Sequence, residues 1–293
     1  MANNTLKVDE RQREIGNFMV GRLLPFAKKR QVGPFTFIDH MGPAEMGNGA
    51  YMDVDQHPHI GLSTLTYLMD GAITHRDSTR SDQLIAAGDV GFMTAGKGVT
   101  HTERTPNYLR TAKPFILHGY QIWVALPKAN EEDEPHFQFI PKSQLPKWSE
   151  NGLDLILVAG EGFGRKSPLK VHSDLFMVDI SSKTARTLAI AGQLQGEIAV
   201  VVTHGSVMIG DENVEEGQML ISKTIDTCSI ELSDHTRVLL FGGQPLPEER
   251  YLMWNFVSSS KDRLKQAKSD WENKRFPKVL NDETYIPYPP ARF

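Results

Sequence analysis

Short apolar stretches alternate with turns that contain glycine or aspartate along most of the chain. The stretch 62–68 is rich in β-branched and aromatic residues and ends at Asp70-Gly71, a strong hairpin signal, so the return strand is predicted over 72–77. Further strands are predicted over the apolar stretches 83–86, 90–93 and 119–126. Such a succession of short strands indicates antiparallel sheets in a sandwich or barrel. We therefore predict an all-β protein.

Two pairs of metal-binding residue types lie in the first half of the chain. They are His57-Pro58-His59, before the predicted hairpin, and His101-Thr102-Glu103, after the glycine-rich bend 94–98. Residues i and i+2 of a strand point to the same face, so each pair can aim two side chains into one cavity. Three imidazoles and one carboxylate suit Fe(II), Mn(II), Ni(II), Cu(II) or Zn(II) better than Ca²⁺ or Mg²⁺. The alternative, four unrelated surface residues, is much weaker for the whole pattern than for any one histidine.

The second half of the sequence repeats the first in outline. The segment that starts at Gly205 can be laid on the one that starts at Gly71, and Gly217 can be laid on Gly88. At these offsets of 134 and 129 residues, the positions of the four candidate ligands are occupied by residues that do not bind metals: Ala191, Gln193, Ile230 and Leu232. We therefore expect metal in the first half only.

An acidic run between prolines, Glu131 to Glu134, separates the two halves. Charge at this density is typical of a solvated connector. We accordingly predict an N-terminal metal-binding domain over 1–127, a linker over 128–143 and a C-terminal metal-free domain over 144–293. Within the last of these, Leu264, Ala267 and Trp271 share one helical face after a serine that suits an N-cap. This spacing predicts a short amphipathic helix that packs on a barrel.

The net charge, the polar N-terminal segment and the single cysteine limit the possible partners and the expected location of the protein. A formal net charge of -4 and the lack of a nucleic-acid motif argue against direct binding of nucleic acid. The polar segment 1–14 has no signal-peptide core, and no apolar run approaches the about 20 residues of a membrane span. The single cysteine, Cys228, cannot form an internal disulfide and is predicted to be a small buried residue of a strand. We expect a soluble cytoplasmic protein with small-molecule or protein partners.

Several other motifs give no support for a site. The glycine-rich segment 160–167 resembles a phosphate loop only in passing, because Arg165 separates the last glycine from the lysine and no βαβ pattern surrounds it. His40 and His118 could lie near the metal cavity, and we predict hydrogen-bonded structural histidines rather than ligands there. A nucleophile elbow is absent from the sequence, so a hydrolase has little support. Five further histidines form no informative pair: His75, His136, His172, His204 and His235.

Three sequence stretches together resemble the pirins, which are bicupin members of the cupin superfamily. They are Phe37 to Pro43, His57-Pro58-His59-Ile60-Gly61, and Met93 to Glu103, and the likeness continues through Ala159-Gly160-Glu161 and Trp254 to Val257. The resemblance implies a bicupin fold of two antiparallel, jelly-roll-like β-barrel domains with a short C-terminal helix. It also implies one iron in the N-terminal barrel, with ligands at His57, His59, His101 and Glu103, and a second barrel without metal.

Two residues depart from the pattern that pirins commonly have. Pirins carry an arginine directly after the second histidine and a glutamate three residues later, whereas this chain has Ile60 and Ser63. The set of four ligands is complete without them. Residues beside a metal tune its affinity and potential, so we expect these changes to affect substrate choice more than metal binding.

The resemblance implies two alternative functions. Four ligands on a six-coordinate Fe(II) leave two positions open, enough for a bidentate substrate or for one substrate oxygen and O₂. Some pirins act as quercetin dioxygenases, which implies a flavonol-like substrate and O₂, with Glu103 as the general base. Others are described as iron-dependent, redox-sensing partners of transcription factors or metabolic enzymes. Fe(II) is the expected metal, with Zn, Mn, Ni and Cu as alternatives.

Overall fold

The computed structural model describes residues 5–110 and 113–290 and consists mainly of antiparallel strands. In chain order the elements are β1 (Leu6–Asp9), β2 (Arg11–Ile15), β3 (Phe18–Leu24), β4 (Phe35–Met46), β5 (Asp53–His59), β6 (Leu62–Asp70), β7 (Ala72–Asp77), β8 (Asp82–Ala86), β9 (Val90–Thr94), β10 (Val99–Arg104), α1 (Asn107–Arg110), β11 (Phe115–Ala125), β12 (His136–Ile140), β13 (Lys147–Glu150), β14 (Leu153–Gly162), β15 (Arg165–Lys166), β16 (Leu175–Ser182), β17 (Arg186–Ala189), β18 (Glu197–His204), β19 (Ser206–Ile209), β20 (Glu212–Glu215), β21 (Gln218–Lys223), β22 (Ser229–Leu232), β23 (Thr236–Gly243), β24 (Tyr251–Met253), β25 (Phe256–Ser258) and α2 (Lys261–Glu272). A short 3-10 turn occupies Lys128–Asn130.

The chain divides into two compact units, each built from three segments. The N-barrel unit comprises Gln12–Val20, Asp39–Phe139 and Pro247–Phe293, and the C-barrel unit comprises Met1–Arg11, Gly21–Ile38 and Ile140–Leu246. These units differ from the continuous segments 1–127 and 144–293 that the sequence predicts. The difference arises because strands distant in sequence complete each sheet.

The two units repeat one topology, as the glycine alignment predicted. One sheet follows the order β12-β9-β6-β11-β4-β3-β2, and its counterpart follows β1-β21-β18-β23-β16-β14-β13, with β15 paired to β14. The smaller sheets have the orders β5-β10-β7-β8 and β17-β22-β19-β20. Gly71 and Gly205 turn the equivalent hairpins at φ 81° and 80°. The sequence repeat is thus a structural repeat, and the prediction of two antiparallel cupin barrels is confirmed.

Strand β1 shows why the unit boundaries could not be drawn from sequence order. Leu6 pairs with Ile221 and Val8 with Met219, so residues near the start of the chain complete a sheet of the C-barrel unit. Val8 is buried, and β1 covers the hydrogen-bonding edge of β21. In the N-barrel unit the equivalent edge of β9 is covered by β12, which lies inside the segment predicted as a linker.

One residue of the acidic run is buried, although its composition suggests a solvated connector throughout. Glu131 is 5% exposed, and its carboxylate lies 2.9 Å from the Arg250 guanidinium. It also accepts hydrogen bonds from Ser258 Oγ and the Ser259 backbone N–H. Glu132 pairs with Arg263 at 2.8 Å. The prediction of a solvated linker is therefore wrong at Glu131, which Arg250 and two serines of the C-terminal segment bind, whereas Glu132 and Glu134 are exposed.

The predicted C-terminal helix is confirmed. It begins after Ser260, whose side chain accepts a hydrogen bond from the Arg263 N–H as the N-cap. Its buried residues are the three that the helical spacing selected: Leu264, Ala267 and Trp271. These side chains pack with Ile60 and Phe256 of the N-barrel unit. The helix therefore buries its apolar face on a barrel, as predicted.

Two local predictions have opposite outcomes. The segment 160–167 forms a β-hairpin, with Glu161 opposite Lys166 and with Phe163 and Gly164 at φ 52° and 66°, which agrees with the prediction of a glycine-rich turn. Cys228 is exposed and precedes β22, so the prediction of a buried strand residue is wrong. The turn at 224–226 delays the start of that strand beyond the cysteine. Among the described residues, no helix is long and apolar enough to cross a membrane.

Candidate metal centre

The predicted ligand strands lie side by side in the N-barrel unit. Strands β5 and β10 are antiparallel, with His57 opposite His101 and His59 opposite Val99. The imidazole centroid of His101 lies 4.3 Å from that of His57 and 5.0 Å from that of His59. One nitrogen from each of these three buried rings can lie within 4.8 Å of the others. The alternation of each strand therefore gathers the three histidines, as the sequence predicted.

Hydrogen bonds define which nitrogen two of these rings present. His57 Nδ1 lies 2.8 Å from the Asp55 carbonyl oxygen, and His59 Nδ1 lies 3.0 Å from that of Asn255. A carbonyl oxygen only accepts, so each Nδ1 carries the hydrogen and each Nε2 carries the lone pair. Both rings therefore present Nε2 as the metal-binding atom.

His101 supplies the observation that tests whether these residues fit a metal. Its Nε2 is buried, and within residues 5–110 and 113–290 it has no hydrogen-bond partner. Leaving a buried nitrogen unpaired costs free energy, whereas a metal ion satisfies it. Three neutral imidazoles and a nearby carboxylate are donors that first-row transition metals accept. The residues fit such an ion.

Glu103 belongs to a second, overlapping set. A β-bulge between His101 and Glu103 shifts the pairing with β5. The Glu103 carboxylate lies with His75 and His101 in a group whose ligand atoms are all within 4.8 Å. Burial raises the pKa of Glu103, an effect opposed by nearby His75 and by hydrogen bonds from Thr66 and Gln121. The structure thus groups Glu103 with His75 and His101, and it is His101 that joins this set to His57 and His59.

Sequence reasoning missed His75, which lies on β7 next to β10. Its Nδ1 is 3.4 Å from His101 Nδ1, and its Nε2 is 3.0 Å from Asp77 Oδ2. Glu103 is directly opposite His75 in the strand register. The missed signal was that His75 and Asp77 are themselves two residues apart on one strand. They therefore form a third X-x-X pair of the type used to find the other ligands.

The C-terminal segment holds β5 in place. The Gln56 amide nitrogen donates to the carbonyl oxygens of Asp282, at 2.7 Å, and Thr284, at 3.0 Å. Val279 N–H donates to Gln56 Oε1 at 2.8 Å. Asn255, which orients His59, lies in the turn between β24 and β25 of the same C-terminal segment. Residues more than 190 positions away in sequence therefore position the first ligand pair.

Comparison with known proteins decides the family. The sequence profile described as Pirin matches residues 17–124, and the profile described as Pirin C-terminal cupin domain matches residues 177–277. The chain belongs to the pirin family. A pirin-like protein of Caulobacter vibrioides is 43% identical over 288 residues, which cover 97% of this chain and 99% of that protein.

Two solved structures share the pirin fold of this chain. A quercetin 2,3-dioxygenase from Acinetobacter baumannii is 32% identical, with a TM-score of 0.90, and the match covers 98% of this chain and 96% of that one. A second quercetin 2,3-dioxygenase from the same organism is 26% identical, with a TM-score of 0.83, and covers 94% and 98%. The likeness spans both barrels.

The two departures from the common pirin pattern have different surroundings. Ile60 is 1% exposed and packs with Phe256 and Leu264, in the cluster beneath the C-terminal helix. Ser63 is also buried, and its hydroxyl lies 3.1 Å from Thr94 Oγ1. An arginine at position 60 would have to enter an apolar cluster here. The isoleucine therefore serves packing of the C-terminal helix in this pirin.

The two histidines of uncertain role form a pair with each other. His40 Nε2 and His118 Nε2 are 2.9 Å apart, and the His40 ring stacks on Tyr120 with centroids 4.5 Å apart. This agrees with the prediction of hydrogen-bonded histidines. Both belong to the N-barrel unit, and neither belongs to the two candidate metal sets.

A small apolar cavity lies beside Glu103. Its volume is about 30 Å³, and Glu103 and Gln121 line it together with Phe18, Met41 and Met52. Pockets for drug-sized ligands are roughly 300–1,000 Å³, whereas a cavity of about 10–15 Å³ holds one water. In this conformation the cavity accepts a molecule of the size of water or O₂, and a larger ligand requires its apolar walls to move.

Buried histidines make the stability of the metal-free pirin depend on pH. Burial lowers the pKa of His57 from 6.5 to about 4, against the opposing hydrogen bond to Asp55, and burial also lowers the pKa values of His59 and His101. Between pH 6.5 and 4 the unfolded chain binds a proton at His57 that the folded protein does not. The stabilisation is complete above pH 6.5 and is lost as the pH falls towards 4, by about 3 kcal/mol for His57.

Urea unfolding of chelator-treated protein at pH 7 and pH 4.5 measures this dependence. We expect the free energy of unfolding to be lower at pH 4.5, and we expect the His57→Gln variant to lose less between the two values. A pH dependence that is the same in both proteins would show that His57 does not contribute to it.

Proposed function

We propose that this pirin is a mononuclear Fe(II) dioxygenase that opens the ring of a flavonol of the quercetin type with O₂ and releases carbon monoxide. The observation that carries the proposal is the cluster of three buried imidazoles, one of which, His101, also belongs to a group with the Glu103 carboxylate. Burial raises the pKa of Glu103, and this residue lines a small cavity. The match to two quercetin 2,3-dioxygenases along nearly the whole chain supports it.

In this proposal His57, His59 and His101 hold the metal through Nε2, and Glu103 is the fourth ligand. The bound ion supplies Lewis acidity toward a substrate oxygen and a redox partner for O₂. Fe(II) is the proposed ion, and the same donors accept Zn, Mn, Ni or Cu. The backbone carbonyls of Asp55 and Asn255 fix two of the rings, so these ligands need no reorganisation on binding.

Glu103 is the proposed general base. Its pKa is raised by burial, which makes it a better acceptor for the proton of the flavonol hydroxyl. Thr66 Oγ1 lies 3.3 Å from Glu103 Oε1 and 2.7 Å from Gln121 Oε1. These contacts orient the carboxylate towards the cavity that Gln121 also lines. To take this proton the carboxylate loosens from the metal, while its contact with Thr66 keeps it beside the cavity.

The small size of the cavity defines what a flavonol must displace. Phe18, Met41 and Met52 occupy the space beside Glu103 that an aromatic ring system would need. Methionine side chains are unbranched and adapt easily to new neighbours, and an apolar lining suits an aromatic substrate. Substrate binding in this proposal therefore includes movement of these walls.

Oxygen uptake and carbon monoxide release by Fe(II)-reconstituted protein with quercetin test the proposal. We expect Glu103→Gln to lower kcat by about 10²–10⁴, the usual contribution of a general base, and to weaken metal binding by much less. Glu216→Gln, at an exposed position of the C-barrel unit, is the control and should retain activity. Equal losses of turnover and metal binding would reduce Glu103 to a ligand.

A second candidate function is favoured by the size of the cavity. With space for about one small molecule beside Glu103, the metal centre could instead serve a redox-sensing protein that binds a transcription factor or metabolic enzyme. Protein shown to hold one iron that consumes no O₂ with any flavonol would overturn the dioxygenase proposal. Capture of a defined protein partner that depends on the oxidation state of the iron would then support the alternative.

A further inference from the structure

Three buried side chains form a line that ends at the candidate metal centre. Asp77 Oδ2 lies 3.0 Å from His75 Nε2, and His75 Nδ1 lies 3.4 Å from His101 Nδ1. Each of the three residues is at most 1% exposed. The neighbouring register of β7 and β10, with Asp77 opposite His101, sets this arrangement.

The hydrogen bonds at Asp77 determine which nitrogen of His75 carries the hydrogen. Asp77 Oδ1 accepts from the N–H and hydroxyl of Thr79, at 2.8 and 2.6 Å, and from the N–H of Ser81 at 3.1 Å. The carboxylate is thus held as an acceptor, and its Oδ2 receives the Nε2–H of His75. A neutral imidazole with its hydrogen on Nε2 has a lone pair on Nδ1. In its neutral form His75 therefore presents an acceptor to His101.

The state of His101 follows from that of His75. Because His75 Nδ1 accepts, His101 Nδ1 must donate the hydrogen of this contact. His101 Nε2 then carries the lone pair, and it is the buried nitrogen without a partner among the described residues. All three clustered histidines thus have the same tautomer. His57 and His59 obtain it from backbone carbonyls, and His101 obtains it from side chains.

Packing fixes the orientation of the His75 ring, which connects Asp77 to His101. The His75 ring stacks on Phe137, with centroids 4.3 Å apart and planes at 15°. This contact limits rotation of the imidazole about its own axis. The His75 ring therefore keeps its two nitrogens aimed at Asp77 and His101.

We infer that His75 and Asp77 are positioning residues of the metal centre, which orient His101 and set its tautomer so that Nε2 binds the ion. The inference rests on the proposed metal centre and is independent of the substrate. Through His75, the Asp77 carboxylate also makes His101 a stronger ligand for the ion, as groups hydrogen-bonded to metal-binding histidines do. His101 is the one clustered ring whose orienting group can be removed by substitution, because the other two use backbone oxygens.

Co(II) binding by the full chain tests the inference, with affinity from competition against a chelator and coordination from the visible spectrum. We expect His75→Leu to weaken Co(II) binding about 10–100-fold and to change the spectrum, because His101 loses its acceptor. His75→Gln offers an amide oxygen to His101 and should recover part of the loss. Asp77→Asn keeps a hydrogen-bonding side chain without the charge, and we expect a smaller loss.

His118→Leu is the matched control. It removes one member of another histidine pair of the N-barrel unit, whose Nε2 atoms are 2.9 Å apart. Loss of a structural contact alone would lower the melting temperature of the metal-free protein in both leucine variants, and only His75→Leu should change the Co(II) spectrum. Wild-type protein that binds no Co(II) would overturn the metal centre and the inference together. Wild-type binding with unchanged affinity and spectrum in the His75 and Asp77 variants would overturn the inference alone.

Discussion

Replacing Glu131 with alanine is expected to lower the free energy of unfolding by about 3–5 kcal/mol. The side chain of its partner, Arg250, is 1% exposed, so the substitution leaves a buried cationic group whose remaining acidic partner is Glu248, 3.5 Å away and 45% exposed. It also removes the acceptor for Ser258 Oγ and for the Ser259 N–H, which fix the chain before the C-terminal helix. Urea unfolding of the metal-free protein at neutral pH measures the loss.

A neighbouring ion pair provides the control. Glu132 pairs with Arg263 at 2.8 Å, but the two side chains are 57% and 24% exposed. Glu132→Ala should therefore cost less than about 1 kcal/mol, as exposed ion pairs usually do. Combining Glu131→Gln with Arg250→Met should recover part of the loss, since it also removes the buried positive charge. Similar losses for Glu131→Ala and Glu132→Ala would contradict the assignment of a buried, stabilising pair.

Local alternation was sufficient to predict the ligand strands. His57 and His59 share a face of β5 because strand side chains alternate with a period of two, and the same rule applies to His101 and Glu103 on β10. The glycine positions of the hairpins identified the repeat. The repeat aligned His101 and Glu103 with Ile230 and Leu232, which the structure places in the apolar core of the C-barrel unit.

Pairing between distant strands was not accessible to the same reasoning. His75 is important because β7 neighbours β10, and the sequence around His75 does not specify that neighbour. The burial of Glu131 likewise depends on Arg250, which is more than 100 positions away. The local composition predicted that the acidic run is exposed to solvent. It could not show that a basic residue distant in sequence lies next to Glu131.

Metal binding should depend most strongly on His101, which belongs to both candidate sets. On β10 it lies opposite His57 of β5 on one side and opposite Asp77 of β7 on the other, so it neighbours residues of both candidate sets and their supports. A missing ligand should weaken binding at least as much as loss of a group behind a ligand, which is about 10–100-fold. Stabilisation by the metal then provides a direct readout, because an ion that binds only the folded state stabilises it.

His101→Ala is therefore expected to weaken Fe(II) or Co(II) binding by at least about 100-fold and to abolish O₂ uptake with quercetin. At a metal concentration of about 100 times the wild-type Kd, the ion should stabilise wild-type protein by about 2.7 kcal/mol and the variant by about 0.4 kcal/mol. Anaerobic urea unfolding with and without metal measures both values. His204→Ala, whose side chain is 68% exposed in the C-barrel unit, should keep the full stabilisation. Equal metal stabilisation in His101→Ala and wild type would place the ion elsewhere and remove the basis for a metal-centred oxygenase at this site.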